Sequence, residues 1–263
     1  MHLDLAHLVL LAVAGLLGGI GITAVGPGGV LPTIGLFLFS GLTPSGVAGT
    51  AIVTHVATGL LGTAAYARSG HLRTAGTRRC AAVLAAVAVV GAPLGVLCNT
   101  LVAGRGFGTL LAVAVAVTGI LVWARERRTP AASGDARIEP DLYDAGLPLT
   151  RTVVIGVVVA FAAGLFGLGG PMLSVPLLVV AGLPVLASLA AAQVQSIVIA
   201  GVGTVAYVAH GDVVWGLAAV VGIPELAGVL IGWRIARALP ARRLKFALVA
   251  FLLALAPFLA LHS

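Results

Sequence analysis

GPGGVLP, residues 26–32, interrupts an otherwise continuous apolar sequence, and GLGGPMLSVP, residues 167–176, does the same in the second half of the chain. Glycine and proline are poor material for a helix interior, costing about 1 and about 3 kcal/mol relative to alanine. In hydrocarbon the penalty is worse, because every unpaired backbone group costs several kcal/mol. An irregular backbone is tolerated there only where it is buried in protein or faces a wet cavity. The relation between the two interruptions therefore decides the architecture.

Sliding one half of the chain over the other by 141 residues, without gaps, places Gly26, Gly28 and Gly29 on Gly167, Gly169 and Gly170. The same offset places Gly41-Leu42 on Gly182-Leu183. It also places GTAAYARSG (62–70) on GTVAYVAHG (203–211), with Gly, Thr, Ala, Tyr and Gly in register. Three coincidences at one offset identify an internal repeat. The first half, 1–124, and the second, 152–263, flank a polar linker at 125–151, RERRTPAASGDARIEPDLYDAGLPLTR.

Composition assigns the solvent of these halves. Hydrophobic residues make up 60% of the 263 and charged residues 9%, with a mean hydropathy of +1.17. A soluble domain carries roughly 25% charged residues, and this chain could not cover its apolar surface with so few. The apolar residues run continuously instead of alternating, which argues for helices and against a β-barrel. Runs fall at about 7–25, 29–43, 45–67, 80–103 and 107–124, then 152–166, 170–183, 185–209, 213–236 and 244–261. Those at 29–43 and 170–183 fall short of the ~20 residues that span a bilayer core. The N-terminal run has no preceding Lys or Arg and no small-residue cleavage site, so it reads as a retained segment. Cys80 and Cys98, if on one helix, lie roughly 27 Å apart, which excludes a disulfide between them.

The net charge of +7 does not point to nucleic acid, because the basic residues cluster at the ends of apolar runs. Let the first two segments of each half make no net crossing and the next three each cross. Arg68, Arg73, Arg78 and Arg79, the linker, and the Arg234–Lys245 region then share one side, leaving Arg105 as the exception among 15 Lys and Arg. By the positive-inside rule that side is cytoplasmic and both termini are periplasmic. The anionic leaflet is the partner of these charges, and Trp123, Trp215 and Trp233 near the segment ends suit the interface. The second half then enters from the opposite side. The expected fold is an all-α polytopic inner-membrane protein of two inverted repeats. Each repeat has a broken or re-entrant helix pair followed by three transmembrane helices, an arrangement characteristic of secondary transporters.

Paired Gly/Pro-interrupted segments in two halves are the best sequence pointer to a transporter's binding site. Gly26, Gly28, Gly29, Gly167, Gly169 and Gly170 allow tight turns and close approach of a ligand to the backbone. The helix N-termini that follow present free N–H groups and about half a positive charge, which attracts an anion. Against this stands the simpler role of glycine in close helix packing. The third segment carries Thr50, Thr54, His55 and Thr58, and its repeat partner Gln193, Gln195 and Ser196, with Gln195 aligned to Thr54 and Ser196 to His55. Thr50, Thr54 and Thr58 share an i, i+4 face. Neutral amide and hydroxyl donors suit an oxyanion that must be bound and released, although interhelical hydrogen bonding would also employ them. His55 is open to three roles, as proton acceptor, ligand or packing residue. Glu225 is the one carboxylate well inside an apolar run, where ionisable residues are costly and are read as functional. Glu225 and His55 are thus the candidates for proton coupling. Aligning GAPLG (91–95) with GIPEL (222–226) puts Leu94 at the position of Glu225 in the first half.

No metal-ligand spacing, nucleophile elbow, Walker motif or HExxH is present, so neither enzyme nor metal nor cofactor is implied. The motif GLGGPMLSVPLLVVAGLP (167–184), the Ala/Ser/Thr-rich helix after it, GTVAYVAHGDVVWG (203–216) and IGWRIARALPARRLKFAL (231–248) together resemble the sulfite exporter TauE/SafE family. The resemblance covers nearly the whole chain outside the linker. It implies transport of sulfite, sulfonates or other sulfur-containing or organic anions, driven by an ion or proton gradient. The first half departs from the pattern in GPGGVLP, where a proline stands between the glycines, and in His55, where the repeat partner has a small polar residue. A channel or cation transporter using broken-helix carbonyls and Glu225 is the alternative, and a non-transporting membrane assembly factor is a third reading.

Overall fold

The computed structural model describes residues 4–102, 106–114, 116–117, 120, 146–239, 246 and 250, and among them the structure is helical with no strand. The helices are α1 (Leu5–Ala24), α2 (Val30–Phe39), α3 (Pro44–Arg68), α4 (Ala75–Asn99), α5 (Leu149–Phe166), α6 (Pro171–Ala181), α7 (Val185–Ala209) and α8 (Trp215–Ala238). Residues 106–114 are helical too. The linker up to residue 145, Arg105, Trp123 and most of the run at 244–261 lie outside the described residues. Among the described residues, six helices are long and apolar enough to cross a membrane: α1, α3, α4, α5, α7 and α8. Cys80 and Cys98 are both free, on the single helix α4.

Local chemistry sets the helix ends. Asp4 caps α1 by accepting from the His7 N–H, which holds its carboxyl below the usual range. Thr43 caps α3 through the Gly46 N–H, and Pro44 and Pro171 occupy first-turn positions, where a missing N–H costs nothing. The breaks arise at Gly26 (φ 113°) and Gly167 (φ 69°), conformations that side chains rarely adopt. The proline peculiar to the first half has a local consequence. Pro27–Gly29 forms a 3₁₀ turn before α2, whereas α6 begins directly at Pro171.

The halves exchange equivalent contacts. α1 packs on α8 just as α5 packs on α4, each pair running parallel along a seam of glycines. A Cβ on Gly15, Gly19, Gly228 or Gly232 would run into the main chain of the facing helix in the first pair, as one on Gly95 or Gly164 would in the second. Such small-residue seams let backbones touch where lipid offers no hydrophobic drive to associate. Between these pairs α3 and α7 cross antiparallel, with Gly62 against Gln193 and Gly203 against Ile52, two contacts that map onto each other at the 141-residue offset. Hydrogen bonds obey the same relation. Tyr66 Oη donates to the Thr23 carbonyl at 2.5 Å and Tyr207 Oη to the Gly164 carbonyl at 2.8 Å. Three pairs of positive-φ glycines, Gly26 and Gly167, Gly41 and Gly182, Gly70 and Gly211, follow it as well. α3 and α7 form the centre, with 61% and 67% of their apolar windows buried against 28–44% for the other four long helices.

The packing corrects one alignment. Gly91 and Gly95 face Val157 and Phe161 of α5 as Gly228 and Gly232 face Leu16 and Ile20 of α1, an offset of 137. Glu225 therefore corresponds to buried Ala88, and Leu94 is half exposed on the outer surface. The stretch from Gly203 to Gly228 is four residues shorter than that from Gly62 to Gly91, so a match of similar letters around a proline misplaced the register.

Charge is segregated along the bundle. Trp233 Nε1 donates to Ser69 Oγ at 3.0 Å, and Arg237 lies 4.9 Å over the Trp233 ring. Burial, then the nearby Arg237 guanidinium, push the His71 imidazole below its ordinary range. Gly146 lies against Gly76, which brings the start of α5 to the start of α4. All described arginines, Arg68, Arg73, Arg78, Arg79, Arg151, Arg234 and Arg237, thus gather at one end. Asp4 and Asp212 lie at the other, where Asp212 accepts from Ser45 Oγ at 2.9 Å. His7 at the start of α1 and Phe39 at the end of α2 have ring centroids 6.2 Å apart, so this helix pair begins and ends at one end of the bundle.

Two predictions follow from this packing. Gly95→Leu, which drives a side chain into the Phe161 carbonyl, should cost about 3 kcal/mol, read as a lowered melting temperature in detergent. Gly201→Leu, with open space around its position, should leave that temperature near wild type. Because His71 is held low in the folded state, it binds fewer protons there than when unfolded, so its contribution to stability falls as pH drops below about 6.5. His71→Gln should flatten the acid side of the melting-temperature profile.

Candidate functional site

His55 stands near the middle of α3 and is fully buried. Its imidazole lies between the two broken segments. A Cβ on Gly29 would be 3.3 Å from His55 Cε1, and one on Gly169 would be 3.2 Å from His55 Cγ. Glycine at both positions leaves the ring its space. Glu225, near the middle of α8 and fully buried, brings Oε1 to 3.2 Å from His55 Nδ1. The distance is that of an ion pair but the angles are not those of a hydrogen bond. Among the described residues, both ring nitrogens and both carboxyl oxygens therefore have no hydrogen-bond partner. Four such atoms buried together are costly unless something else is bound among them.

The breaks are tied to their surroundings. Thr33 Oγ1 of α2 donates to the Gly167 carbonyl at 3.5 Å, Gly26 abuts Val175 of α6, and Gly167 abuts Ala48 of α3. Gly28 is pressed against Gly18 and Gly21 of α1. A Cβ on Gly170 would be 3.3 Å from the Ser196 main-chain nitrogen and the Ala192 carbonyl, so the second break also lies against the α7 backbone. The N-terminal turns of α2 and α6 thus start beside the same imidazole, with the Val30 N–H donating back to the Pro27 carbonyl and the Met172 N–H to the Gly169 carbonyl.

The remaining residues singled out in the sequence have other partners. Thr54 Oγ1 donates to the Ala51 carbonyl at 2.8 Å, and its methyl side faces Gly222. There it helps line a groove of about 240 Å³ between α3 and α8, with Val53, Ala57, Trp215 and Ile223. Thr50 Oγ1 accepts from the Val214 N–H at 3.1 Å and so anchors the entry to α8. Gln193 Nε2 donates to the Ile22 carbonyl at 3.4 Å, while its Oε1 is buried without a partner among the described residues. Gln195 turns away from the centre. Its Nε2 donates to the Gly156 carbonyl at 3.3 Å and its Oε1 accepts from Ser174 Oγ, joining α5, α6 and α7.

The family model described as sulfite exporter TauE/SafE matches residues 11–259, nearly the whole chain and both broken segments. The chain belongs to the TauE/SafE family. No curated protein and no solved structure was found to match it. The family is one of membrane transporters, and the six apolar helices of this TauE/SafE chain are those of a multi-pass membrane protein.

Two features escaped the sequence reading. Tyr66 and Tyr207 each hold the carbonyl of a residue three positions before Gly26 or Gly167, and their equal spacing in the repeat was the available signal. The His55–Glu225 contact had no signal, since 170 residues separate its partners. Tyr66→Phe and Tyr207→Phe should each cost about 1 kcal/mol, one hydrogen bond apiece. The double variant should show the sum within error, measured as melting temperatures of the purified protein.

Proposed function

We propose that this chain is a secondary transporter that moves a small anion, sulfite or an organosulfonate, across the inner membrane by alternating access, driven by a proton or ion gradient. The observation that carries the reading is the meeting of Gly29 and Gly169, one from each broken segment, on the two sides of His55. Paired half-helix N-termini at mid-membrane are how transporters present N–H groups to an anionic group. The description of the TauE/SafE family supports the same substrate class. His55, Gly28, Gly29, Gly169, Gly170 and Ser196 form the anion locus, with Thr54 and Gln193 at its margin.

The antiparallel crossing of α3 and α7 supports an inverted arrangement of the halves, and the gathering of arginines at one end supports a cytoplasmic location for that end. Both termini are then periplasmic. Transport follows from rocking of one half against the other about the α3–α7 crossing.

Exchange of labelled sulfite across liposomes carrying the purified protein tests the reading. Wild type should exceed protein-free vesicles at least ten-fold, and Gly169→Val, which intrudes on His55, should lose at least nine-tenths of that exchange while remaining folded. Movement of a monovalent cation without any anion exchange would instead favour the cation reading, for which the unpartnered oxygens of buried Glu225 speak.

A further inference from the structure

We propose that His55 and Glu225 form a proton site that fills together with the anion, so that one proton travels with each anion in the same direction. The inference rests on the transport reading and names the coupling ion and its carrier.

The pair is electrically isolated. From α1, the position against the Glu225 main chain is Gly19, and the titratable residue of that helix, His7, lies at its far end beside Asp4. The broken segments bring Gly29 and Gly169 to the ring, and α2 and α6 contain no titratable residue. On α7 the one titratable residue is Tyr207, near the end of the helix and bonded to the Gly164 carbonyl. On α3 the next titratable group is Tyr66, bonded to Thr23, and beyond it Arg68. On α8 the nearest are Arg234 and Arg237, nine and twelve residues away, or about 14 and 18 Å along the axis. Among the described residues, no other charge compensates the pair from within the bundle.

Its net charge is therefore set by how many protons it holds. With none it is −1, with one it is neutral, and with two it is +1. An anion entering between the starts of α2 and α6 comes into contact with the His55 ring and so within reach of the Glu225 carboxylate. In a low-dielectric interior like charges at such distances repel strongly. The anion is accommodated when a proton from the aqueous phase has been added to the pair, whether it resides on Oε1 or on the imidazole. Departure of the anion on the other side lets that proton leave. By linkage, anion binding raises proton occupancy by the factor with which the proton raises anion affinity. The unpartnered ring nitrogens and carboxyl oxygens are the acceptors and donors that this exchange requires. Symmetry sharpens the assignment, because the equivalents of His55 and Glu225 are Ser196 and Ala88, so the coupling chemistry is present once, on the α3–α8 side.

The test uses the full chain in liposomes, with sulfite uptake and internal pH followed together against protein-free vesicles. Co-binding predicts that wild-type sulfite entry carries protons inward beyond those that bisulfite itself bears, and that an inward proton gradient accelerates entry at least five-fold. Glu225→Gln holds the position neutral, and it should abolish proton entry and the acceleration while sulfite-for-sulfite exchange continues. Proton exit during sulfite entry, no proton movement, or gradient-driven uptake undiminished in Glu225→Gln overturns the inference. Should the variant fail to fold, the wild-type proton count decides alone, because co-binding requires one proton per anion to enter beyond any that bisulfite itself carries. Absence of sulfite exchange in wild type overturns the transport reading itself, an outcome distinct from uncoupled exchange.

Discussion

A helix broken inside hydrocarbon exposes backbone groups that lipid cannot satisfy, and the rest of this structure is arranged around the need to bury two such breaks. Neither α2 nor α6 is long enough to span a bilayer, and each starts deep in the bundle against the central helices α3 and α7. Those two helices are the most buried of the long apolar set because they cover the breaks from both sides. The outer pairs, α1 with α8 and α4 with α5, close around them along glycine seams so tight that backbones are in contact. Without those seams the outer helices would stand off, and the breaks would face lipid.

The equivalent contacts exchanged by the two halves explain why both breaks meet beside His55. A break from each half reaches the centre, and equivalent tyrosines fasten the carbonyls just ahead of both. The scaffold is symmetric but its chemistry is not. His55 stands where the other half has Ser196, and Glu225 where it has Ala88. These replacements put an imidazole and a carboxyl into a core that otherwise holds apolar, hydroxyl and amide side chains. Buried ionisable groups without aligned partners work against stability, and this pair stands where both breaks converge.

Placement also separates residues that looked alike as letters. Gln193 and Gln195 both sit in an apolar run, yet one reaches the end of α1 and the other ties α5, α6 and α7 together. Two positions apart on a helix is a turn of about 200°, so they cannot share a face. Thr50 holds the entry to α8 and Thr54 borders a surface groove, despite their common i, i+4 spacing. Polarity in an apolar run signals that a partner is needed, but not whether the partner is a helix or a ligand.

The sequence by itself determined the solvent, the repeat and the breaks. Composition excludes a soluble fold, the 141-residue offset pairs the glycines, and Gly/Pro chemistry interrupts the helices wherever it occurs, all through local or additive physics. The family was legible for the same reason, since glycine positions report backbone geometry directly. Only the tertiary structure decided which polar residues meet. It moved the counterpart of Glu225 from Leu94 to Ala88, because helix register is set by which glycines can face a neighbouring backbone. It joined His55 to Glu225 across 170 residues, because proximity between distant segments is a property of packing that no local pattern encodes.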